Sequence, residues 1–310
     1  MSTLCRINLE VDIEPFVSAV RLLPPRASIA REATRLRREE LDGSLAVSQT
    51  PLSTAEVRVL VDHGLAVGGH RLDAYLNVRD LAAAAAWVTD HRAFPPGDPR
   101  PLITVEDVRK LHGLVTASHP AVRPGVWRLA VDPPHKNVVS PPPWLVPKET
   151  ASLVDRVRRA PSPHALGPWL ADFLARFSRI RPFAGANGRT GRLAASLLLR
   201  RLDVPPLVIA RRDATAYAVA LLAAEAGDRA ALTALVEGAI VQSCRRLIAA
   251  AGDDPLLPLR ALAGPDYAAL IKAAQRGRLQ VVMRDRRVFS TAGWVAAYRD
   301  TRAVPTAPPA

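Results

Sequence analysis

Thirteen residues in the middle of the chain have types and spacing suited to gripping phosphate. They read Ile180-Arg-Pro-Phe-Ala-Gly-Ala-Asn-Gly-Arg-Thr-Gly-Arg192. Gly185, Ala186, Asn187 and Gly188 are small enough to let backbone N–H groups approach a ligand closely. Asn187 and Gly188 tolerate left-handed φ and can turn successive N–H groups into one concave nest. A helix expected to follow points its positive end at the same place. Arg189 and Arg192, three residues apart, add two fixed cations on nearly one helical face. That combination favours a di- or triphosphate. A glycine-rich corner between two helices, with solvated arginines, accounts for the same residue types equally well.

Several elements must hold this loop. Leu166, Trp169, Leu170, Phe173, Leu174, Phe177 and Ile180 recur at spacings of three and four, which predicts a core helix leading into it. A second helix, Arg189–Leu202, leads out and ends before Pro205-Pro206. Thr215–Ala226 and Arg229–Ala250 read as two more. Upstream, Thr104 caps a helix with Glu106 and Asp107 in its first turn. Residues Pro124–Pro147 are too proline-dense for helix and read as a hairpin or extended flap. Further back come three helical stretches. Ala27–Glu40 is stopped by Asp42-Gly43. A short helix opens at a Ser53/Glu56 capping box. Leu72–Val88 follows, before a proline-rich linker at Phe94–Pro101.

The order of residues in the loop resembles the signature of the Fic (Fido) family, His-Pro-Phe-x-Asp/Glu-Gly-Asn-Gly-Arg-x-x-Arg. Arg181–Arg192 follows it over twelve positions without a gap. The resemblance extends over roughly 102–245. It implies a mainly α fold: a Fic-type helical core with a short β-hairpin flap. His135, Asn137, Val138 and Val139 fall on that flap, which in the family aligns a segment of a target protein. Family members mostly transfer AMP from ATP to a protein hydroxyl.

The departures from the signature bear on activity. The family's His takes the proton from the target hydroxyl. Arg181 stands there, and a guanidinium has no lone pair to offer. The family's acid holds a bridging magnesium. Gly185 stands there and supplies no side-chain oxygen. The phosphate-gripping positions Ala186, Asn187, Gly188, Arg189 and Arg192 are carried over. The resemblance therefore implies a nucleotide such as ATP as ligand, no magnesium ligand on the motif, and little or no AMP transfer. The alternative is an active transferase of AMP or another phosphate group with an altered mechanism, using His135 or His164 as base. Relatives also carry a self-inhibiting helix with the pattern Ser/Thr-x-x-x-Glu-Gly/Asn. The corresponding stretch is Arg38–Gly43, which puts Asp42 where a carboxylate would reach Arg192.

The C-terminal part has a different character. Residues 255–302 hold nine Lys/Arg against three Asp/Glu. Leu259–Ala263 and Tyr267–Gln275 read as helices. Leu279–Met283 and Arg287–Phe289 read as a hairpin, and Ser290 or Thr291 as the cap of a last helix. This order resembles the winged helix-turn-helix of excisionase-like and MerR-like DNA readers. In that family a helix enters the major groove and the wing meets backbone. The resemblance implies DNA contacts by Lys272, Arg276 and Arg278 on the helix side and by Arg284, Arg286 and Arg287 on the wing. A homodimer would supply two half-sites.

The chain of 310 residues thus divides into an N-terminal helical region 1–100, a core 101–250, a module 255–302 and a tail 303–310. Its net charge of +13 suits an anionic partner. No apolar run is long enough for a membrane span, and residues 1–16 do not read as a signal peptide. Cys5 and Cys244 read as free thiols of a cytoplasmic protein.

Overall fold

Side-chain caps and prolines set where several of the helices begin. The computed structural model describes residues 13–23, 25–91, 93–95, 97–119, 121–131, 139–252, 256–284 and 287–303. Helix α1 is Glu14–Arg21 and α2 is Ala27–Val47. Helix α3, Thr54–His63, starts at a reciprocal capping box between Ser53 and Glu56. Helix α4 is Leu72–Asp90. Helix α5, Val105–Val115, starts at a second such box, between Thr104 and Asp107. Helix α6, Val146–Arg156, carries Pro147 in its first turn, where the missing N–H has no partner to lose. Helices α7, Leu166–Ile180, and α8, Asn187–Arg201, flank the loop. They are followed by α9, Ala214–Glu225, and α10, Ala230–Ala251.

The described chain is mainly helical and divides into two units, residues 34–240 and residues 1–33 with 241–310. In the larger unit, α7 and α8 pack against each other and against α4, α5, α6 and α9. Leu170, Phe173 and Phe177 of α7 are buried together with Leu197 of α8, Leu81 of α4 and Leu111 of α5. A Cβ on Gly191 would come within 2.8 Å of the Phe177 ring, so the missing side chain lets α8 lie close on α7.

In the smaller unit, β1 (Leu257–Pro258), β2 (Val282–Arg284) and β3 (Arg287–Ser290) form a sheet in the order β1-β3-β2. Helices α11 (Leu259–Ala263), α12 (Tyr267–Gln275) and α13 (Ala292–Ala303) accompany it. Leu259, Leu270, Leu279, Val281 and Val295 make its core. Both strand pairs are antiparallel, with Val282 opposite Phe289 and Leu257 opposite Ser290. The helix–helix–hairpin–helix order is the one read from the sequence. Thr291 Oγ1 accepts from the Trp294 N–H, at the start of α13. Strand β1 has no local signal and was not expected.

Two expectations are corrected. Asp42-Gly43 does not stop a helix, because α2 runs on to Val47. Gly43 instead permits a close approach: a Cβ there would sit 1.6 Å from the Ile209 carbonyl oxygen. The stretch up to Pro147 is not wholly non-helical, since α6 already starts at Val146. The hairpin expected there falls on residues 132–138, outside those described, and His135, Asn137 and Val138 go with it. Val139 is described and exposed. Among the described residues on either side, 121–131 and 139–142, there is no strand.

Candidate phosphate-binding site

The loop is built from its two ends. At the C-terminus of α7, Arg181 takes a left-handed conformation, φ 46°. At the start of α8, Ala186 does the same, φ 55°. Non-glycine residues seldom adopt such angles, at a cost of roughly 1–2 kcal/mol each, so the surroundings must enforce the turn.

Asn187 supplies much of that enforcement. Its Oδ1 accepts the Phe183 N–H at 2.9 Å, and its Nδ2 donates to the Phe183 carbonyl at 2.7 Å. The amide therefore closes the loop on itself. Arg128, buried before the flap, fixes the entry. Its Nε donates to the Arg181 carbonyl at 2.8 Å, and its guanidinium also meets the Ala130, Pro141 and Ile180 carbonyls.

Beneath the loop, Phe183 is sandwiched between His112 and Trp127. His112 is fully buried, and its Nδ1 accepts the Gly125 N–H at 2.9 Å. Burial pushes its imidazole down to about 4, so it is neutral at pH 7. The opposing pull is a contact with the Gly185 backbone, although His112 Nε2 does not reach full hydrogen-bond geometry there.

Helix α8 begins without a side-chain cap, because Ala186 has no group to accept a hydrogen bond. The first N–H groups of an α-helix have no intrahelical partner. Those of Asn187, Gly188 and Arg189 are thus left for water or a ligand, at the positive end of the helix.

The two arginines diverge. Arg189 donates to Asn77 Oδ1 on α4, and His119 Nε2 meets the same oxygen at 2.7 Å. Burial lowers the pKa of Arg189, and the nearby Arg192 adds to that. Arg192 is buried against α2. It donates from Nε to Ser44 Oγ at 2.9 Å, and from Nη2 to the Ser44 carbonyl at 2.9 Å and Ser48 Oγ at 2.8 Å. Tyr217 of α9 lies close enough to act on its charge. A Cβ on Gly188 would lie 3.2 Å from Arg192 Nη1, so this guanidinium sits directly under the loop.

The expected Asp42–Arg192 pair is not formed. Asp42 accepts from Arg211 Nη2 at 2.7 Å and from Thr54 Oγ1 at 3.0 Å. It lies two residues from Ser44, on the opposite side of α2, and so faces away from Arg192. Ser44 and Ser48 were not singled out in the sequence, and neither were Asn77, His112 and Arg128. They lie more than 50 residues from the loop residues they support and share no local pattern with them.

Comparison with known proteins fits this geometry. Residues 102–199 match the family model described as the Fic/DOC family. They form a Fic/DOC domain. The chain is 23% identical over 199 residues to protein adenylyltransferase fic-1 of Caenorhabditis elegans, and 26% identical over 194 residues to protein adenylyltransferase Fic of Drosophila melanogaster. Each match covers 60% of this chain but only 36% and 37% of the relative. The chain thus spans about a third of the length of the curated relatives it matches. Among solved structures, Fic-1 of C. elegans superposes with a TM-score of 0.66 at 20% identity, covering 77% of this chain and 69% of that one. A Fic domain containing signaling protein from Bacteroides thetaiotaomicron gives 0.65 at 18% identity, covering 78% of this chain and 97% of that one. The fold is Fic-like.

Outside the Fic/DOC domain, the C-terminal module carries its own cations. Lys272, Arg276, Arg278 and Arg287 are exposed, and no carboxylate pairs with any of them among the described residues. Arg286 lies outside the described residues, as does the side chain of Arg284. Among the described residues, no helix is long and apolar enough to cross a membrane.

Proposed function

We propose that the Fic/DOC domain binds a nucleoside triphosphate such as ATP through the loop 184–189 and transfers little or no AMP. The observation that carries this reading is the uncapped start of α8, with Arg189 beside it and Arg192 under it. The N–H groups of Asn187, Gly188 and Arg189 would hold phosphate oxygens. Arg192 would add charge from below without leaving Ser44 and Ser48. Arg181 stands at the entry, where the family signature has a proton acceptor, and a guanidinium accepts no proton at working pH.

The donor set does not suit a divalent cation. Gly185 offers no side-chain oxygen, and Asp80 is engaged by the Ser118 N–H and hydroxyl. Among the described residues no group of three His, Cys, Asp or Glu could hold a metal. Phosphate charge would be met by backbone N–H groups and arginine alone.

Calorimetric titration with ATP and GTP, with and without magnesium, tests this. Saturable binding with little magnesium dependence, lost in Arg189→Ala, is the expected result. No binding of any nucleoside triphosphate would overturn it.

A second reading concerns residues 255–302 as a winged helix-turn-helix-like DNA-binding module, dimeric on DNA. Its support is the set of exposed Lys272, Arg276, Arg278 and Arg287, with no carboxylate paired to them among the described residues. Duplex binding measured by fluorescence anisotropy should weaken steeply with salt and vanish when all four become Ala. Unchanged binding in that variant would sink it.

A further inference from the structure

A cavity of about 500 Å³ opens beside the phosphate loop. It is lined by Ile180, the residue that leads into Arg181. One wall is Val139–Pro142, and its apolar lining includes Leu153, Ala175 and Ala224. Arg128 joins that wall to the loop, donating to the Pro141 carbonyl with one nitrogen and to the Arg181 carbonyl with another. From α9, Glu225 lines the cavity, and Tyr217 on the same helix lies beside Arg192. The space is of the size that small-ligand sites occupy. It shares Ile180 with the approach to the loop, and the Arg128 bonds tie its wall to Arg181.

The polar groups around this cavity form a pattern. Glu225 only accepts, and Ser178 Oγ donates to it and holds it in place. Arg179 and Arg156 only donate, and no carboxylate pairs with either among the described residues. Arg176 and Arg229 share Asp172, at 2.7 and 3.0 Å. Glu149 lines the cavity as well. A base read between Glu225 and Arg179 must offer two adjacent donors to the carboxylate and adjacent acceptors to the guanidinium. Guanine does both: N1–H and N2–H on one edge, O6 and N7 on another. Adenine sets its N1 lone pair against the carboxylate and has only the N6 donor. Cytosine likewise places an acceptor, N3, beside its single donor group. Uracil has one N–H between two carbonyls.

We propose that this cavity takes the guanine base of a guanosine nucleotide, with Glu225 accepting from N1–H and N2–H and Arg179 donating to O6 and N7. The proposal rests on the phosphate-loop reading above and names the base that goes with it.

The test is calorimetric titration of the full chain with GTP, ATP, xanthosine triphosphate and inorganic triphosphate, for wild type, Glu225→Gln and Arg179→Ala. GTP should bind at least about ten-fold tighter than ATP and than inorganic triphosphate. Glu225→Gln should erase the preference for GTP, weakening GTP and strengthening ATP, because an amide can donate to adenine N1 and accept from N6–H. It should also gain affinity for xanthosine triphosphate, because an amide can donate to the xanthine 2-carbonyl and accept from N1–H. Arg179 is exposed, so Arg179→Ala should fold normally and lose more affinity for GTP than for ATP or inorganic triphosphate. ATP binding as tightly as GTP in the wild type overturns the proposal, and so does a preference for GTP that survives Glu225→Gln. Failure of all four probes, inorganic triphosphate included, overturns the phosphate-loop reading itself and this inference with it.

Discussion

The ring of Phe183 lies flat on His112, with centroids 3.7 Å apart and planes 2° apart. Phe183 belongs to the phosphate loop and His112 to α5, so this stack seats the loop on the helical core. Replacing His112 by Leu would remove the acceptor of the Gly125 N–H, a buried donor, as well as the stack. Together these are worth about 2–4 kcal/mol. The measurement is urea unfolding: the midpoint should fall with the slope unchanged. A variant as stable as wild type would mean that the loop is seated by other contacts.

The same histidine predicts a pH dependence. Its folded pKa of about 4 lies below the ordinary 6.5. Below pH 6.5 the unfolded chain takes up a proton that the folded protein refuses. Stability is therefore lost as pH falls from 6.5 to 4, by up to about 3 kcal/mol. Glu40 works in the opposite direction. Burial raises its carboxyl to about 7, against hydrogen bonding from Ser196 and the charge of Arg37. That contribution is complete below about 4.5 and is lost as pH rises through 7. Glu40→Gln keeps an acceptor for Ser196 and carries no charge. Compared with wild type, it should gain up to about 3 kcal/mol between pH 5 and pH 8. Thermal melts of the two proteins at both pH values check this, and parallel curves would refute it.

These contacts also mark what a sequence can and cannot disclose. The helices on either side of the loop, and the module from Leu259 onward, were legible because their signals are local. Apolar residues recur at three and four in α7, and Gly264-Pro265 and Gly277 punctuate the ends of α11 and α12. The capping boxes at Ser53 and Thr104 are local in the same sense. Asp42-Gly43 carries an equally local stop signal, and it misleads. The glycine is there to let Ile209 approach, a demand set 166 residues away. Helix α6 was hidden by Pro147, which is tolerated in a first turn but reads as a breaker in a proline-dense stretch. In the site, the loop itself could be read, but not the residues that hold it. A single buried histidine, a serine pair on α2 and one arginine before the flap have no periodicity of their own.

Gly43→Ala turns that tertiary demand into a measurement. Its Cβ would fall 1.6 Å from the Ile209 oxygen, so α2 or the Ile209 segment must move. Overpacking of this kind costs about 1–3 kcal/mol or more. Because α2 also carries Ser44 and Ser48, the shift should loosen Arg192. The expected result is a lower melting temperature together with weaker nucleotide binding. A Gly43→Ala protein that melts and binds like wild type would show that the approach is slack.

Asn187 separates loop shape from loop charge. Asn187→Asp keeps an oxygen for the Phe183 N–H but cannot donate to the Phe183 carbonyl, and it places a negative charge at the head of α8. Triphosphate binding should fall by at least about ten-fold, as one charge-assisted contact is worth roughly 1.5–3 kcal/mol. Asn187→Ala should lose both loop bonds without adding charge. It should therefore be hurt less than Asn187→Asp at low salt, and the gap should close at high salt, where the repulsion is screened. Equal losses for the two variants at every salt concentration would assign the whole effect to loop shape.

Arg181 and Gly185 are the positions at which transfer chemistry can be tested directly. Arg181 has φ 46°, an angle that histidine tolerates better than most residues. Among the described residues, a Cβ on Gly185 would meet Val122 Cγ2 at 3.5 Å, an ordinary contact, so the backbone there accepts a side chain. The double variant Arg181→His/Gly185→Asp would thus add a proton acceptor and a cation ligand to an otherwise unchanged loop. A positioned general base alone is typically worth about 10²–10⁴-fold. Labelled AMP incorporated into protein from α-labelled ATP should rise by at least about a hundred-fold in the double variant, and only in the presence of magnesium. Substantial incorporation by the wild-type chain would instead mean that the loop already catalyses transfer, with Arg181 neutralising phosphate charge and the base supplied from elsewhere. No incorporation by either protein, with nucleotide binding intact in both, would place the missing requirement outside the loop, in the alignment of the hydroxyl that receives the group.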